Sequence, residues 1–247
     1  MCGLAGLWAP AAGHDQAQLE WYGQQMGNAI AHRGPDDAGI WVDAGQGLAL
    51  AHRRLSIQDL SPLGHQPMRS ADGRYQLVYN GEIYNFQQLS QELASLGHTF
   101  AGHSDTEVLL AAIVQWGLEA ALERSNGMFA LALWDSQTRR LALARDRVGK
   151  KPLYYGWAGN TLVFGSELKA LWQHPQFSNP VNPDALALLL QLDYIPAPHS
   201  IHKDCWKLQP GCVLWLDAAA IMAGPQAHQP RRDQISFWSA AEAMRRA

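Results

Sequence analysis

The chain has 247 residues, 47% apolar and 17% charged, with a formal net charge of -3. That balance gives no electrostatic case for binding nucleic acid, whose partners carry basic patches. No run approaches the ~18 consecutive apolar residues of a membrane span, and the N-terminus lacks the basic-then-apolar order of a secretory signal. The length suits one large domain or two small ones.

Met1 to Leu7 is small and apolar and reads as a buried strand. Residues 16–31 place Leu19, Tyr22, Met26, Ala29 and Ile30 on one helical face. A Gly/Pro/Asp turn is expected from Arg33 to Gly39, then strands at Leu48–Leu50 and Leu77–Tyr79. A helix starts at an Asn85 cap, with Phe86, Leu89, Leu93 and Leu96 in register and Gly97 as its stop. Ser104-Asp105-Thr106-Glu107 has capping-box spacing and opens a helix whose buried face is Val108, Leu109, Ala112, Ile113 and Trp116. The period then changes to short strands at Met128–Trp134, Leu141–Arg145, Leu153–Trp157 and Leu162–Phe164. Met128–Trp134 is apolar on both faces and belongs in a sheet covered on both sides. Asn182-Pro183 opens a late helix, and Cys212–Leu216 is a last strand. Residues 218–247, rich in Ala, Gln, Pro and Arg, read as a linker with a short helix near the end.

The three cysteines, Cys2, Cys205 and Cys212, make neither a disulfide framework nor a C-x-x-C metal pair, which fits reduced thiols in the cytoplasm. The histidines lack metal-ligand spacing, so no metal is expected; His32 and His52 read as hydrogen bonders that fix loops. Cys2 follows the initiator methionine and precedes Gly3. Removal of Met1 would give Cys2 a free α-amine, whose reference pKa of about 7.7–8.0 suits a general base. Alone, Cys2 reads more readily as a small core residue than as a nucleophile. Asn80-Gly81-Glu82, just after the Leu77–Tyr79 strand, offers a side-chain amide and an unobstructed backbone N–H for an oxyanion, or an ordinary Asn-Gly hairpin turn. Arg54 can grip a carboxylate in bidentate fashion or make a surface ion pair. Asp105, at a helix N-terminus, can bind an ammonium or simply cap the helix.

These segments together resemble the class II glutamine amidotransferase domain of glutamine-dependent asparagine synthetases. The resemblance is carried by Met1-Cys2-Gly3-Leu4-Ala5-Gly6, His32-Arg33-Gly34-Pro35-Asp36, Arg54-Leu55-Ser56-Ile57 and Asn80-Gly81-Glu82-Ile83-Tyr84-Asn85. It continues through Ser104-Asp105-Thr106-Glu107, Asn126-Gly127-Met128-Phe129, Arg145-Asp146-Arg147, Lys151-Pro152-Leu153-Tyr154-Tyr155, Ser166-Glu167-Leu168-Lys169 and Tyr194-Ile195-Pro196-Ala197-Pro198. It runs in order from Met1 to about residue 216. The resemblance implies an α+β, four-layer αββα N-terminal-nucleophile hydrolase sandwich, with two antiparallel sheets between helical layers. It also implies hydrolysis of L-glutamine to L-glutamate and ammonia through a Cys2 thioester, Asn80 and Gly81 forming the oxyanion hole. Arg54 would hold the glutamine α-carboxylate and Glu82 with Asp105 its α-ammonium, while backbone groups near Ile57 and Gln58 add contacts.

Such synthetases continue into an ATP-pyrophosphatase domain with an S-G-G-x-D-S phosphate loop, and this chain holds no such loop. The expected organisation is therefore a glutaminase domain over 1–217 and a linker over 218–247, leading toward a synthetase domain absent from this chain. No cofactor is expected here; ATP and Mg would belong to that domain, C-terminal or separate. Homodimerisation is left open. The alternative is a regulatory or binding module of the same fold, inactive without a synthetase partner.

Overall fold

The computed structural model describes residues 2–57 and 59–246. Gln58, expected among the substrate contacts, lies outside the described residues, as does Met1. In chain order come β1 (Gly3–Trp8), α1 (Gln16–Ala29), β2 (Asp37–Asp43) and β3 (Leu48–Arg54). Next are β4 (Met68–Arg69), β5 (Tyr75–Ile83), α2 (Phe86–Ser95), α3 (Asp105–Trp116) and α4 (Leu118–Arg124). Then follow β6 (Gly127–Asp135), β7 (Arg140–Arg145), β8 (Tyr154–Ala158), β9 (Thr161–Gly165), α5 (Leu168–Leu171) and α6 (Pro183–Leu192). The last elements are β10 (Cys205–Lys207), β11 (Cys212–Leu216), α7 (Ala218–Ala223), β12 (Gln234–Ser236) and α8 (Ala240–Arg246).

The strands form two six-stranded sheets, ordered β10-β8-β9-β1-β3-β2 and β12-β11-β7-β6-β5-β4. Every pairing within them is antiparallel. Side chains alternate across a strand, and the apolar clusters follow that alternation. Leu4 and Trp8 of β1, Leu48 and Leu50 of β3, Val78 of β5 and Ala130, Ala132 and Trp134 of β6 fill the space between the sheets. Ala5, Leu7 and Ala49 face Leu19, Met26 and Ile30 at α1. On the far side, Leu77, Tyr79, Ile83, Phe129 and Leu131 pack on Leu89, Leu93, Leu109 and Ile113 of α2 and α3. The result is the αββα sandwich expected from the sequence, and β6 is covered on both faces.

Some local expectations change. Leu77–Tyr79 is only the middle of β5, so Asn80, Gly81 and Glu82 are strand residues opposite Ala130, Phe129 and Met128, not a hairpin turn. Arg54 ends β3, which extends four residues beyond the expected Leu48–Leu50. Asn85 sits at the α2 N-cap without a side-chain capping bond. Its amide instead donates to Arg124 O at 3.0 Å and accepts from Asn126 N at 2.8 Å, tying α2 to the start of β6. Ser104 caps α3 as expected, but Glu107 does not complete the box and accepts from Ala101 N and Gly102 N instead. Residues 218–247, expected as linker, contribute to the packed fold: β12 pairs with β11, Ile221 enters the inter-sheet core, and Phe237 stacks on Phe129 with ring centroids 6.2 Å apart.

His52 joins the two sheets through the interior. On β3 it has the parity of Leu50, and its Nε2 lies 2.9 Å from Tyr79 O on β5. The carbonyl can only accept, so Nε2 carries the proton. Burial pushes the ring pKa down to about 4, against opposing effects of the Tyr79 bond and Asp37. A histidine lowered in this way excludes a proton that the unfolded chain binds below about pH 6.5. Stability therefore falls as pH drops from 6.5 toward 4, by up to about 1.4 kcal/mol per pH unit for this one group. The variant His52→Gln should show a flatter urea-midpoint profile than wild type over that window. Parallel profiles would mean that the fold does not exclude the His52 proton.

Candidate active site

The fold brings Cys2, at the mouth of β1, to a cleft with Arg54, Ile57, Asn80, Gly81, Glu82 and Asp105. Its cavity of about 140 Å³ is below the ~300–1,000 Å³ of pockets for drug-sized ligands and suits a small metabolite. Every predicted site residue that the structure describes is therefore on one wall or another of the same cavity.

Several contacts fix Cys2. Arg33 Nε donates to Cys2 O at 3.0 Å, and its Nη1 reaches Glu167 Oε1 at 2.9 Å. Burial alone would raise the Glu167 pKa, but Arg33, Lys169 and His32 outweigh it and bring the carboxyl down to about 2. Two residues on, Leu4 N–H donates to Ser166 Oγ at 3.1 Å, and Ser166 N–H to Leu4 O at 2.9 Å. The Cys2 Sγ is held against Leu55, accepting from its N–H at 3.4 Å. Asp36 fixes that loop by accepting from Ser56 N–H at 2.8 Å. Cys2 is half-buried, whereas Cys205 and Cys212 are enclosed; burial raises both of their pKa values, Cys205 to about 12. Enclosed thiols of that kind are inert.

The second wall is the outer edge of β5. In an antiparallel pair, directly opposed residues alternate between hydrogen-bonded and non-hydrogen-bonded pairs. Tyr84 N–H bonds Asn126 O at 2.7 Å, so the even-numbered β5 residues exchange bonds with β6. Phe129, opposite Gly81, commits its N–H to Asp146 Oδ2 and its carbonyl to Asp146 N–H. Gly81 therefore belongs to a non-bonded pair, and its N–H points away from β6. Neighbouring edge amides of the same parity are taken: Tyr79 N–H by Gln66 Oε1 at 2.6 Å and Ile83 N–H by Asp105 Oδ2 at 2.8 Å. A Cβ on residue 81 would lie 2.5 Å from Met128 O and 2.6 Å from Phe129 Cβ, so only glycine fits this close approach of strands. Next to it, Asn80 has the parity of Val78 and faces the inter-sheet side. It is 1% exposed, and its Nδ2 has no hydrogen-bond partner among the described residues. A buried amide donor left unpaired costs ~1–3 kcal/mol, which a ligand acceptor would recover.

The third wall is built from β3 and its following loop. Arg54 is 8% exposed; its Nη1 donates to Ser61 O at 2.9 Å and its Nη2 to Asp59 O. No carboxylate pairs with it among the described residues. A Cβ on residue 64 would sit 2.1 Å from Arg54 Nη2, so Gly64 leaves room for the guanidinium. Asp59 anchors the loop by accepting from Ser61 N and His103 N. Ile57 is 70% exposed, at the cavity rim.

Asp105, in the first turn of α3, is the facing anion. Its Oδ2 accepts from the Tyr79 hydroxyl at 3.0 Å as well as from Ile83 N–H. Burial nevertheless raises its pKa, and the Glu82 carboxylate adds to the rise. A cation placed between Glu82 and Asp105 would relieve both effects. Lys151 also lines the cavity; burial and then Arg33 lower its pKa, opposed by Cys2, Glu82 and Asp146.

Gln66, Tyr79 and Asp59 had no place in the sequence-based site, because their roles are hydrogen bonds to residues far along the chain. The wider motifs do explain themselves structurally: Arg33 pairs with Glu167, and the fully buried Asp146 accepts from four backbone amides, Phe129, Val148, Lys150 and Lys151. Among the described residues, no group of three or more His, Cys, Asp or Glu could hold a metal ion, and no helix is long and apolar enough to cross a membrane.

Comparison with known proteins agrees with this geometry. Residues 1–227 match the family model of the glutamine amidotransferase domain. Two Bacillus subtilis relatives are asparagine synthetase (glutamine-hydrolysing) 3, 35% identical over 87% of this chain, and asparagine synthetase (glutamine-hydrolysing) 1, 37% identical over 85%. The chain spans 34% and 33% of their lengths. A solved structure of B. subtilis glutamine phosphoribosylpyrophosphate amidotransferase shares the fold, with a TM-score of 0.62 at 23% identity, over 87% of this chain and 47% of that one. On its residues, its layers and its match over most of its length, this chain belongs to the glutamine amidotransferase domain family.

Proposed function

We propose that this domain hydrolyses L-glutamine to L-glutamate and ammonia, with Cys2 as nucleophile. The observation that carries the reading is the unpaired Asn80 amide beside the edge-directed Gly81 N–H, in the same cavity as a half-buried thiol. Two free donors in one cavity with a nucleophile are what stabilising a tetrahedral oxyanion calls for. The other walls supply a cation with no carboxylate partner among the described residues, Arg54, and two carboxylates, Glu82 and Asp105. That is the complement of an amino-acid zwitterion, whose side chain then extends toward Cys2.

In this reading the Cys2 sulfur attacks the side-chain amide carbon, and the Cys2 α-amine, freed by removal of Met1, carries the proton. Asn80 Nδ2 and Gly81 N–H hold the oxyanion. The C–N bond breaks, ammonia leaves with the transferred proton, and a thioester remains. Water, deprotonated by the same amine, attacks the thioester, releasing glutamate and regenerating the thiol. Backbone groups near Ile57 and Gln58 add contacts to the amino-acid substrate in this reading. The ammonia would serve an ATP-dependent synthetase domain, either C-terminal in a longer polypeptide or separate, and ATP and Mg would be bound there. The relatives' greater length supports such a partner. A reducing cytoplasm suits the half-buried thiol.

Ammonia release from glutamine should vanish in Cys2→Ala, and the intact mass of active wild type should lack Met1; turnover by Cys2→Ala, or by protein retaining Met1, contradicts the mechanism. Asn80→Ala should lower kcat by ~10²–10³, as for loss of one oxyanion donor, and a pure loss of apparent affinity would reject that role. Arg54→Ala should act mainly on KM, the signature of a ground-state clamp; a fall in kcat at unchanged KM would exclude it.

A further inference from the structure

We propose that Gln66 is a positioning residue that stands in for a missing strand and thereby isolates the Gly81 amide as an oxyanion donor. β4 is two residues long and pairs with β5 only at Leu77 and Gln76. Beyond Leu77, the β5 edge presents Tyr79, Gly81 and Ile83 N–H groups with no strand opposite. A continued β4 would pair the edge amides in turn and close the one at Gly81. Instead, the Gln66 side chain takes Tyr79 N–H alone, with Oε1 at 2.6 Å. Its amide nitrogen lies 3.5 Å from Thr106 Oγ1 at the start of α3, and the residue is 4% exposed. Tyr79 is thus held at three atoms: N–H by Gln66, carbonyl by His52 and hydroxyl by Asp105. Asn80 and Gly81 follow it directly. Gln66 therefore sets the position of both donors from one side, as Asp105 does from the other through Ile83 N–H.

This role rests on the glutaminase reading for its kinetic consequence, but its structural half does not. The test uses the whole chain as wild type, Gln66→Met and Gln66→Glu, with Cys2→Ala alongside. Met matches the length of Gln but removes the acceptor, while Glu keeps it. By amide hydrogen exchange, wild type should show a slow Tyr79 amide beside a fast Gly81 amide. Tyr79 protection should be lost in Gln66→Met and kept in Gln66→Glu. In ammonia release, Gln66→Met should lose at least ~10-fold in kcat with KM within about threefold of wild type, the pattern of a lost transition-state interaction. Unchanged kcat in folded Gln66→Met, a loss confined to KM, or equal Tyr79 protection in all three proteins overturns the proposal. If Gln66→Met does not fold, wild type and Gln66→Glu decide it by exchange: slow Tyr79 with fast Gly81 in both supports it, and any other pattern refutes it. No turnover by wild type would instead defeat the glutaminase reading and leave the exchange result standing.

Discussion

The antiparallel register of β5 against β6 is the constraint on which the site depends. It sends the even-numbered amides into the ladder and their side chains toward the other sheet, and it turns the odd-numbered amides to the open edge. Consecutive residues therefore offer different donors: Asn80 through its side chain and Gly81 through its backbone. A slip of one residue would exchange the two faces and remove both donors at once. The buried pair Val78 and Tyr79, one in the inter-sheet core and one under α3, holds the register.

The first sheet supplies the complementary half by the same rule. Leu50, His52 and Arg54 share a parity on β3, so a strand anchored by a core leucine delivers first an inter-sheet bond and then a guanidinium. Among the described residues Arg54 is bonded by carbonyls and by no carboxylate, and burial raises the Asp105 pKa despite two donors. Buried charges without an opposite charge beside them are costly to hold, and a zwitterionic ligand of the kind proposed would offset both together.

Much of the fold was legible in the sequence. The α3 face, the Ser104 cap and the doubly covered β6 rest on local periodicity and capping chemistry. Spacing alone did not settle Asn80-Gly81: the dipeptide is a strong turn signal, and only pairing with β6, some fifty residues away, makes it strand. The residues that line the cavity were singled out through the ordered motifs, not through their local chemistry. Gln66 escaped because its bond to Tyr79 depends on where β4 stops, and Arg33 finds its partner 134 positions along the chain. The segment after Leu216 reads as linker because β12 is three residues long, too short for a period, yet Phe237 beside it is buried on Phe129.

The short β4 has a consequence for solubility. A strand edge with several open amides recruits foreign strands and seeds aggregation. An edge that must admit an oxyanion, as proposed for Gly81, cannot be closed in the usual way, by a full neighbouring strand. Here two side chains, Gln66 and Asp105, block the positions on either side and leave a gap one amide wide. An incoming strand needs a row of donors and acceptors and finds no run to pair with, while a single oxygen atom can still enter.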